Sequence, residues 1–180
     1  MKHAILATAI ALTVSIGQVS GETVQSLLDR LRTSDNRQTT AELQNNIWKG
    51  WIGDYADDAQ KDLMAKGIKE LEARELQSAE QTFSDLITLN PGFTEAWNKR
   101  ATVRYLLDDL DGSEADVAEV LSREPRHFGA ISGLALISLQ RGDLESAIRA
   151  YEDLLKVDPL NQNALRLLPE LKRKLGISDI

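Results

Sequence analysis

The sequence predicts an all-α fold, a short α-α superhelical solenoid made of repeated helical units. Its prolines Pro91, Pro125 and Pro159 stand 34 residues apart. A fixed period of about 20 to 50 residues is typical of stacked units that are each too small to bury an apolar face alone. Apolar side chains also recur at intervals of three and four residues, the spacing that places them on one face of a helix. The two observations together predict a row of helices whose extended surface is suited to binding.

The period defines three copies of the unit, at residues 60–93, 94–127 and 128–161, within a domain that we place at 58–180. The third copy has the clearest pattern, formed by Ile131, Leu134, Ala135, Gly142, Asp143, Ala147, Tyr151, Leu154, Leu155 and Pro159. This pattern resembles the tetratricopeptide repeat, a helix-turn-helix unit with small residues where its helices cross. The resemblance implies three TPR-like helix-turn-helix units stacked into a superhelix.

Residues 22–57 precede the repeats and are predicted to form an N-terminal pair of helices. The first helix is indicated by apolar residues at i, i+3, i+4 and i+7 between Val24 and Leu31. Thr39 and Glu42 match a capping box, which predicts the start of the second helix.

Trp48 and Trp51 lie three residues apart and therefore on one face of that second helix. We expect this face to pack onto the first repeat and to shield its open end, as the terminal units of solenoids must. The alternative is an exposed aromatic platform that binds a glycan, another small ligand or a protein.

A C-terminal capping helix is predicted at residues 162–176. Ala164, Leu168, Leu171 and Leu175 form its single apolar stripe, which would face the third copy while the remaining faces meet solvent.

The first 21 residues have the layout of a secretory signal peptide. Lys2 provides a basic start, residues 4–17 carry no charge, and small side chains near Gly21 indicate cleavage before Glu22. A membrane anchor is the alternative, but a span needs about 20 apolar residues and this run is shorter. We therefore expect an exported protein, periplasmic or secreted and of bacterial type, with no stable membrane span after cleavage.

Composition excludes several functions. Removal of Lys2 with the signal leaves 20 basic against 28 acidic side chains, a net charge of −8 that argues against nucleic acid as a partner. The chain has no Cys, and His127 is the only His after residue 21. It also lacks the sequence motifs of nucleotide, zinc and hydrolase sites. The sequence thus predicts no catalytic, cofactor-binding or metal-binding residue, and a protein that is not an enzyme.

The resemblance implies that the first helix of each unit lines a concave groove. Carried over residue by residue, the lining is Met64, Ile68, Leu71, Asn98, Thr102, Tyr105, Ser132, Leu136 and Leu139. A groove that is apolar at its ends and polar in the middle suits a helical or extended segment of a partner protein. We therefore expect an interaction scaffold in the cell envelope. An accessory subunit of an envelope enzyme is a second hypothesis.

Relatives that clamp the C-terminal carboxylate of a chaperone place Lys, Asn and Arg on this groove. Here Met64, Ile68, Gly129 and Gly133 occupy most of those positions, and Lys99 alone is compatible. The sequence therefore predicts no carboxylate clamp.

Arg100 and Arg104 occupy positions that are apolar in the family pattern. Because an unpaired buried charge costs several kcal/mol, these two residues need acidic partners. Glu70 and Asp116 are the candidates, so an internal ion-pair network of Glu70, Arg100, Arg104 and Asp116 is expected, with a ligand site as the alternative.

Overall fold

The computed structural model describes residues 22–53 and 57–177, and in these residues it contains nine α-helices and no strand. The helices are α1 (Val24–Arg32), α2 (Arg37–Gly53), α3 (Asp58–Glu72), α4 (Leu76–Leu89), α5 (Thr94–Leu106), α6 (Leu110–Arg123), α7 (Phe128–Arg141), α8 (Leu144–Val157) and α9 (Gln162–Lys174). This confirms the prediction of an all-α fold. The predicted signal peptide lies outside the described residues. Among those that are described, no helix is both long and apolar enough to cross a membrane.

Three helix pairs, α3–α4, α5–α6 and α7–α8, follow one another along the chain and pack side by side. The second helix of each pair ends two residues before one of the periodic prolines. The residues before those prolines, Asn90, Glu124 and Asp158, share one non-helical backbone conformation, with φ between −140 and −131°. Proline disfavours the helical conformation in the residue before it, so the 34-residue period marks where each unit ends.

The turn inside each pair also repeats. Arg74, Asp108 and Gly142, again 34 residues apart, have positive φ angles of 63, 65 and 76°. Glycine adopts this left-handed conformation without a steric penalty, whereas a side chain with a Cβ does so at a cost. The third unit therefore has the least strained turn.

Small residues allow the helices of a pair to approach closely. A Cβ placed on Gly67 of α3 would lie 2.6 Å from Cε1 of Phe83 on α4, so the missing side chain makes room for the aromatic ring. Ala101 and Ala135 take the equivalent places in α5 and α7 and are buried in the same way.

The N-terminal pair packs along the edge formed by the loops that follow α6 and α8. Gln44 of α2 donates a hydrogen bond to Asp158 at 2.8 Å, and Asp29 of α1 pairs with Arg126 at 2.6 Å. Both contacts lie beside the second and third units. Trp48 and Trp51 contact His127 and Phe128 at the junction of these two units, so the expectation that the tryptophan face of α2 packs onto the first repeat is wrong.

The start of α2 also differs from the prediction. Asn36 caps this helix, because its side-chain oxygen accepts the backbone N–H groups of Gln38 and Thr39 at 2.9 and 3.2 Å. Thr39 thus lies inside the first turn, and the capping box that it was expected to form with Glu42 is absent from α2. Asparagine satisfies the free N–H groups of a helix start as well as threonine does.

Candidate functional site: the groove between α5 and α7

A pocket of about 110 Å³ opens between α5 and α7, with α6 behind it. Its lining residues are all uncharged: Asn98, Ala101, Thr102, Tyr105, Ser113, Val117, Gly129, Ser132, Gly133 and Leu136. The floor is closed in part by a buried hydrogen bond, in which the Ser113 hydroxyl donates to the carbonyl oxygen of Ala101 at 2.8 Å. The pocket therefore combines an apolar wall with amide and hydroxyl groups.

Five residues of the predicted groove meet in this pocket, namely Asn98, Thr102, Tyr105, Ser132 and Leu136. Leu136 is 37% exposed, and Thr102 is exposed as well, so the mouth of the pocket is open to solvent. These residues lie on the second and third units, one and two turns apart on their helices.

The other four predicted residues lie elsewhere. Met64 is only 1% exposed and belongs to the core of the first unit, so its prediction as a groove residue is corrected. Ile68 and Leu71 are partly buried against that same core, and Leu139 is partly buried against the core that the third unit shares with the N-terminal pair. Ile52 of α2 also packs against the first core, and the open groove is shorter than the sequence pattern predicts.

A buried polar cluster bounds one end of the pocket. The carboxylate of Glu95 is fully buried, receives hydrogen bonds from Asn98 at 3.2 Å, and lies 3.1 Å from the ammonium group of Lys99. The imidazole of His127, also fully buried, lies 3.1 Å from Glu95 through its Nε2. Its Nδ1 accepts the backbone N–H of Ala130, so we assign the proton to Nε2, which donates to Glu95. The buried carboxylate is thus fully paired.

The two tryptophans of α2 cover this cluster. Trp51 is only 4% exposed and stacks on the His127 ring, with centroids 3.8 Å apart and planes at 13°. Trp48 lies against Gly129, where a Cβ would come within 2.7 Å of the indole. The ammonium group of Lys99 lies over the Trp48 ring, 4.7 Å from its centroid. An exposed platform of two tryptophans is therefore not formed, and Trp48 instead ends the groove on that side.

The sequence pattern did not reveal this cluster, because Glu95 and His127 are separated by 32 residues and the tryptophans lie outside the repeats. The available signal was a solitary His beside a periodic proline. A lone His between two repeat units is more often hydrogen-bonded than catalytic, but the sequence does not identify its partner.

Arg100 and Arg104 meet at Asp116, on the side of α5 that faces α4 and α6. Arg100 binds both carboxylate oxygens of Asp116, at 2.8 and 2.7 Å, and Arg104 binds one of them at 3.1 Å. Arg104 also pairs with Glu80 at 2.9 Å. Although partial burial acts to lower the pKa of Arg104, the hydrogen bond to Glu80 and the nearby carboxylates raise it.

Glu70 takes no part in this network. Its carboxylate accepts a hydrogen bond from Thr82 at 2.7 Å and lies 3.7 Å from the ammonium of Lys66. The expected pairing of Glu70 with Arg104 is therefore corrected. Glu80, which lies on α4 rather than α3, supplies that carboxylate.

The groove offers binding groups rather than reactive ones. Its polar groups are hydroxyls and an amide, and Tyr105 is its only aromatic lining residue. Within residues 22–53 and 57–177, the structure shows no cluster of three or more His, Cys, Asp or Glu side chains that could hold a metal ion. The arrangement is suited to holding a side chain or a backbone segment of another molecule.

Known proteins with tetratricopeptide repeats match this chain. The tetratricopeptide repeat family matches residues 132–168, which cover α8, most of α7 and the first half of α9. A TPR repeat-containing protein of Rhizobium etli is 29% identical over 153 residues, which cover 85% of this chain and 74% of that protein. The Hsp70-Hsp90 organizing protein of Triticum aestivum is 29% identical over 118 residues, which cover 66% of this chain and 20% of the wheat protein.

Solved structures share the fold. The first TPR of Spaghetti (RPAP3) bound to the HSP90 peptide SRMEEVD superposes with a TM-score of 0.63 at 21% identity, covering 69% of this chain and 99% of that one. A crystal structure of MamA superposes with a TM-score of 0.61 at 15% identity, covering 86% of this chain and 81% of that one. The periodic prolines, the stacked helix pairs and these matches agree, and the chain is built from helix pairs of the tetratricopeptide repeat type.

Proposed function

We propose that this protein is a non-catalytic interaction scaffold that binds a helical or extended segment of a partner protein in the groove between α5 and α7. The observation that carries the proposal is the open, uncharged pocket at whose mouth Thr102 and Leu136 are exposed. Tyr105 and Leu136 provide apolar contact, and burial of such groups contributes about 25 cal/mol for each Å² removed from water.

The pocket size indicates how the segment binds. A volume of about 110 Å³ admits one side chain rather than a whole helix. We infer that the partner inserts a single aliphatic residue. Its neighbouring polar groups would hydrogen-bond with Asn98, Thr102 and Ser132 at the rim. Gly133 of α7 adds no side chain to the pocket, where a Cβ would lie 3.6 Å from Cγ2 of Val117.

A short peptide is the kind of ligand held by the related first TPR of RPAP3, which was solved with an HSP90 peptide. The groove of the present protein should bind a peptide of a different sequence. Lys99, the one residue compatible with a carboxylate clamp, is already engaged by Glu95 and Trp48, and the pocket itself is uncharged. An uncharged, aliphatic segment therefore fits better than an acidic peptide.

The direct test replaces Tyr105 and Leu136 together with glutamate in the full chain. A charge at the pocket mouth should abolish partner capture, because the partner's apolar residue would have to desolvate it. The matched control places glutamate at Leu89 and Leu165, two exposed leucines on α4 and α9. Far-UV circular dichroism verifies that both variants fold. Capture from intact envelopes that survives in the folded groove variant would contradict the proposal.

Localisation in the cell envelope is part of the same proposal, and the layout of residues 1–21 supports it. Amino-terminal sequencing of the protein recovered from a periplasmic fraction should begin at Glu22. A protein that keeps Met1, or that stays with the cytoplasmic fraction, would contradict export. That result would leave the groove hypothesis intact.

A further inference from the structure

A second groove lies on the outer side of the repeats, between α6 and α8. It has a volume of about 320 Å³, and its lining consists of Leu121, Pro125, Ile131, Leu134, Ala150, Asp153, Lys156 and Val157. Ile131, Ala150 and Val157 are buried and make an apolar floor. The charged groups stand at the rim, where Lys156 and Asp153 pair with each other at 2.7 Å.

The same groove one repeat earlier, between α4 and α6, is filled by the protein itself. Trp97 of α5 occupies it, with the guanidinium carbons of Arg100 and Arg123 at 5.0 and 5.4 Å from the ring centroid. The indole N–H donates to the carbonyl oxygen of Pro91 at 3.0 Å. Asp116, through its pair with Arg100, holds the flanking guanidinium in place.

The 34-residue period shows why the second groove is empty. Trp97, Arg100, Asp116 and Arg123 correspond in the next copy to Ile131, Leu134, Ala150 and Val157. Every one of these replacements is smaller and apolar. The frame of the site is kept, since Pro125 corresponds to Pro91 and again ends the preceding helix. The third unit therefore has a groove like the one that Trp97 occupies, but no aromatic side chain of its own in it.

We propose that the groove between α6 and α8 binds an aromatic side chain, an indole above all, presented by a partner protein. Its ring would lie over Ile131 between Leu134 and Val157, and its N–H would donate to the carbonyl of Pro125. The paired charges of Asp153 and Lys156 neutralise each other at the rim, which matches an uncharged ring rather than a charged anchor. A cavity of about 150 Å³ already accepts benzene, so the space is sufficient.

Free indole is the probe for this site. Titration into the ¹⁵N-labelled full chain should shift the backbone resonances of Leu121, Ile131 and Val157, with a dissociation constant of roughly 1 to 5 mM, as befits so small a ligand. 1-Methylindole, which cannot donate to Pro125, should bind several-fold more weakly. Shifts centred instead on Tyr105 and Leu136 would contradict the proposal.

Two variants exchange the residues of the two copies. Ile131→Trp places an indole ring of the protein itself in the groove and should abolish the indole-induced shifts. Trp97→Ile should open the groove between α4 and α6 and add a second set of indole-induced shifts around Pro91. Since Ile131→Trp could disturb folding, Leu134→Arg combined with Ala150→Asp fills the same space with the residues of the second copy. Indole binding at wild-type affinity in both folded filling variants would overturn the proposal.

Discussion

Asp116 holds two arginines in place, and its replacement by alanine should lower the free energy of unfolding by about 3 kcal/mol. The side chain is 2% exposed and that of Arg100 is 13% exposed, so the variant leaves a largely buried guanidinium without its bidentate partner. Breaking a buried pair in this way costs about 3–5 kcal/mol. We expect the lower end because Arg100 keeps its hydrogen bond to Ser84 and Arg104 keeps Glu80.

The third unit supplies the compensating change. At the positions of Arg100, Arg104 and Asp116 it has Leu134, Ser138 and Ala150, which need no counter-charge. The triple variant Arg100→Leu, Arg104→Ser, Asp116→Ala should therefore be more stable than Asp116→Ala alone, although it has more substitutions. Replacement of a whole buried ion pair by apolar groups is often neutral or stabilising.

Urea unfolding and thermal unfolding, both followed by far-UV circular dichroism, measure these effects. For a chain of this size, Asp116→Ala should lower Tm by about 6–12 °C without changing the denaturant dependence. Glu119→Ala is the matched control on α6, where the exposed pair with Arg123 contributes about 1 kcal/mol or less. An effect of Asp116→Ala no larger than this control, or a triple variant less stable than the single one, would refute the reasoning.

The remaining predictions concern the N-terminal pair, a helix cap and the type of ligand. Trp51→Ala removes a buried ring from its stack on His127 and should cost about 3–5 kcal/mol, measured by urea unfolding, whereas Lys49→Ala on an exposed face of α2 should have almost no effect. Hydrogen bonds from the hydroxyl and backbone N–H of Ser146 lower the pKa of Asp143, which caps α8. Its contribution to stability should be complete above the ordinary aspartate pKa and be lost as the pH falls through the lower, folded-state value. Carboxyl NMR should show Ser146→Ala raising the pKa of Asp143. The acidic peptide SRMEEVD should bind with a Kd weaker than about 1 mM by calorimetry, and micromolar binding would contradict the absence of a carboxylate clamp.

Local signals predicted the architecture well. The prolines at 91, 125 and 159 act on the residue before each of them, so the positions where α4, α6 and α8 end follow from the sequence itself. The small residues at the helix crossings could also be predicted from the sequence, because each of them contacts only the other helix of its own unit.

Interactions between distant segments were harder to predict. The unusual charges of Arg100 and Arg104 showed that acidic partners were needed, and Asp116 was among the candidates. Glu70 lies on α3 and Glu80 on α4, so which of them reaches Arg104 depends on how these two helices pack against α5, and the periodic alignment does not contain that information. Helix faces set by packing between units become visible only in three dimensions.

The position of the N-terminal pair had no local signal at all. The apolar face of α2 would fit several surfaces, and the structure places it over His127 and Phe128, beside the second and third units. The open part of the predicted groove is confined to the stretch from Asn98 to Leu136, and Met64 lies in the core of the first unit.

The most direct test of the groove hypothesis is site-specific photo-crosslinking in the native cells. A benzophenone side chain at Thr102, which is exposed beside the pocket, should give one dominant crosslinked protein. The same group at Leu89, exposed on α4, should not give that product. Adding Leu136→Glu should remove the Thr102 crosslink. A crosslink of equal strength from both positions, or one that persists with Leu136→Glu, would contradict partner binding in the groove.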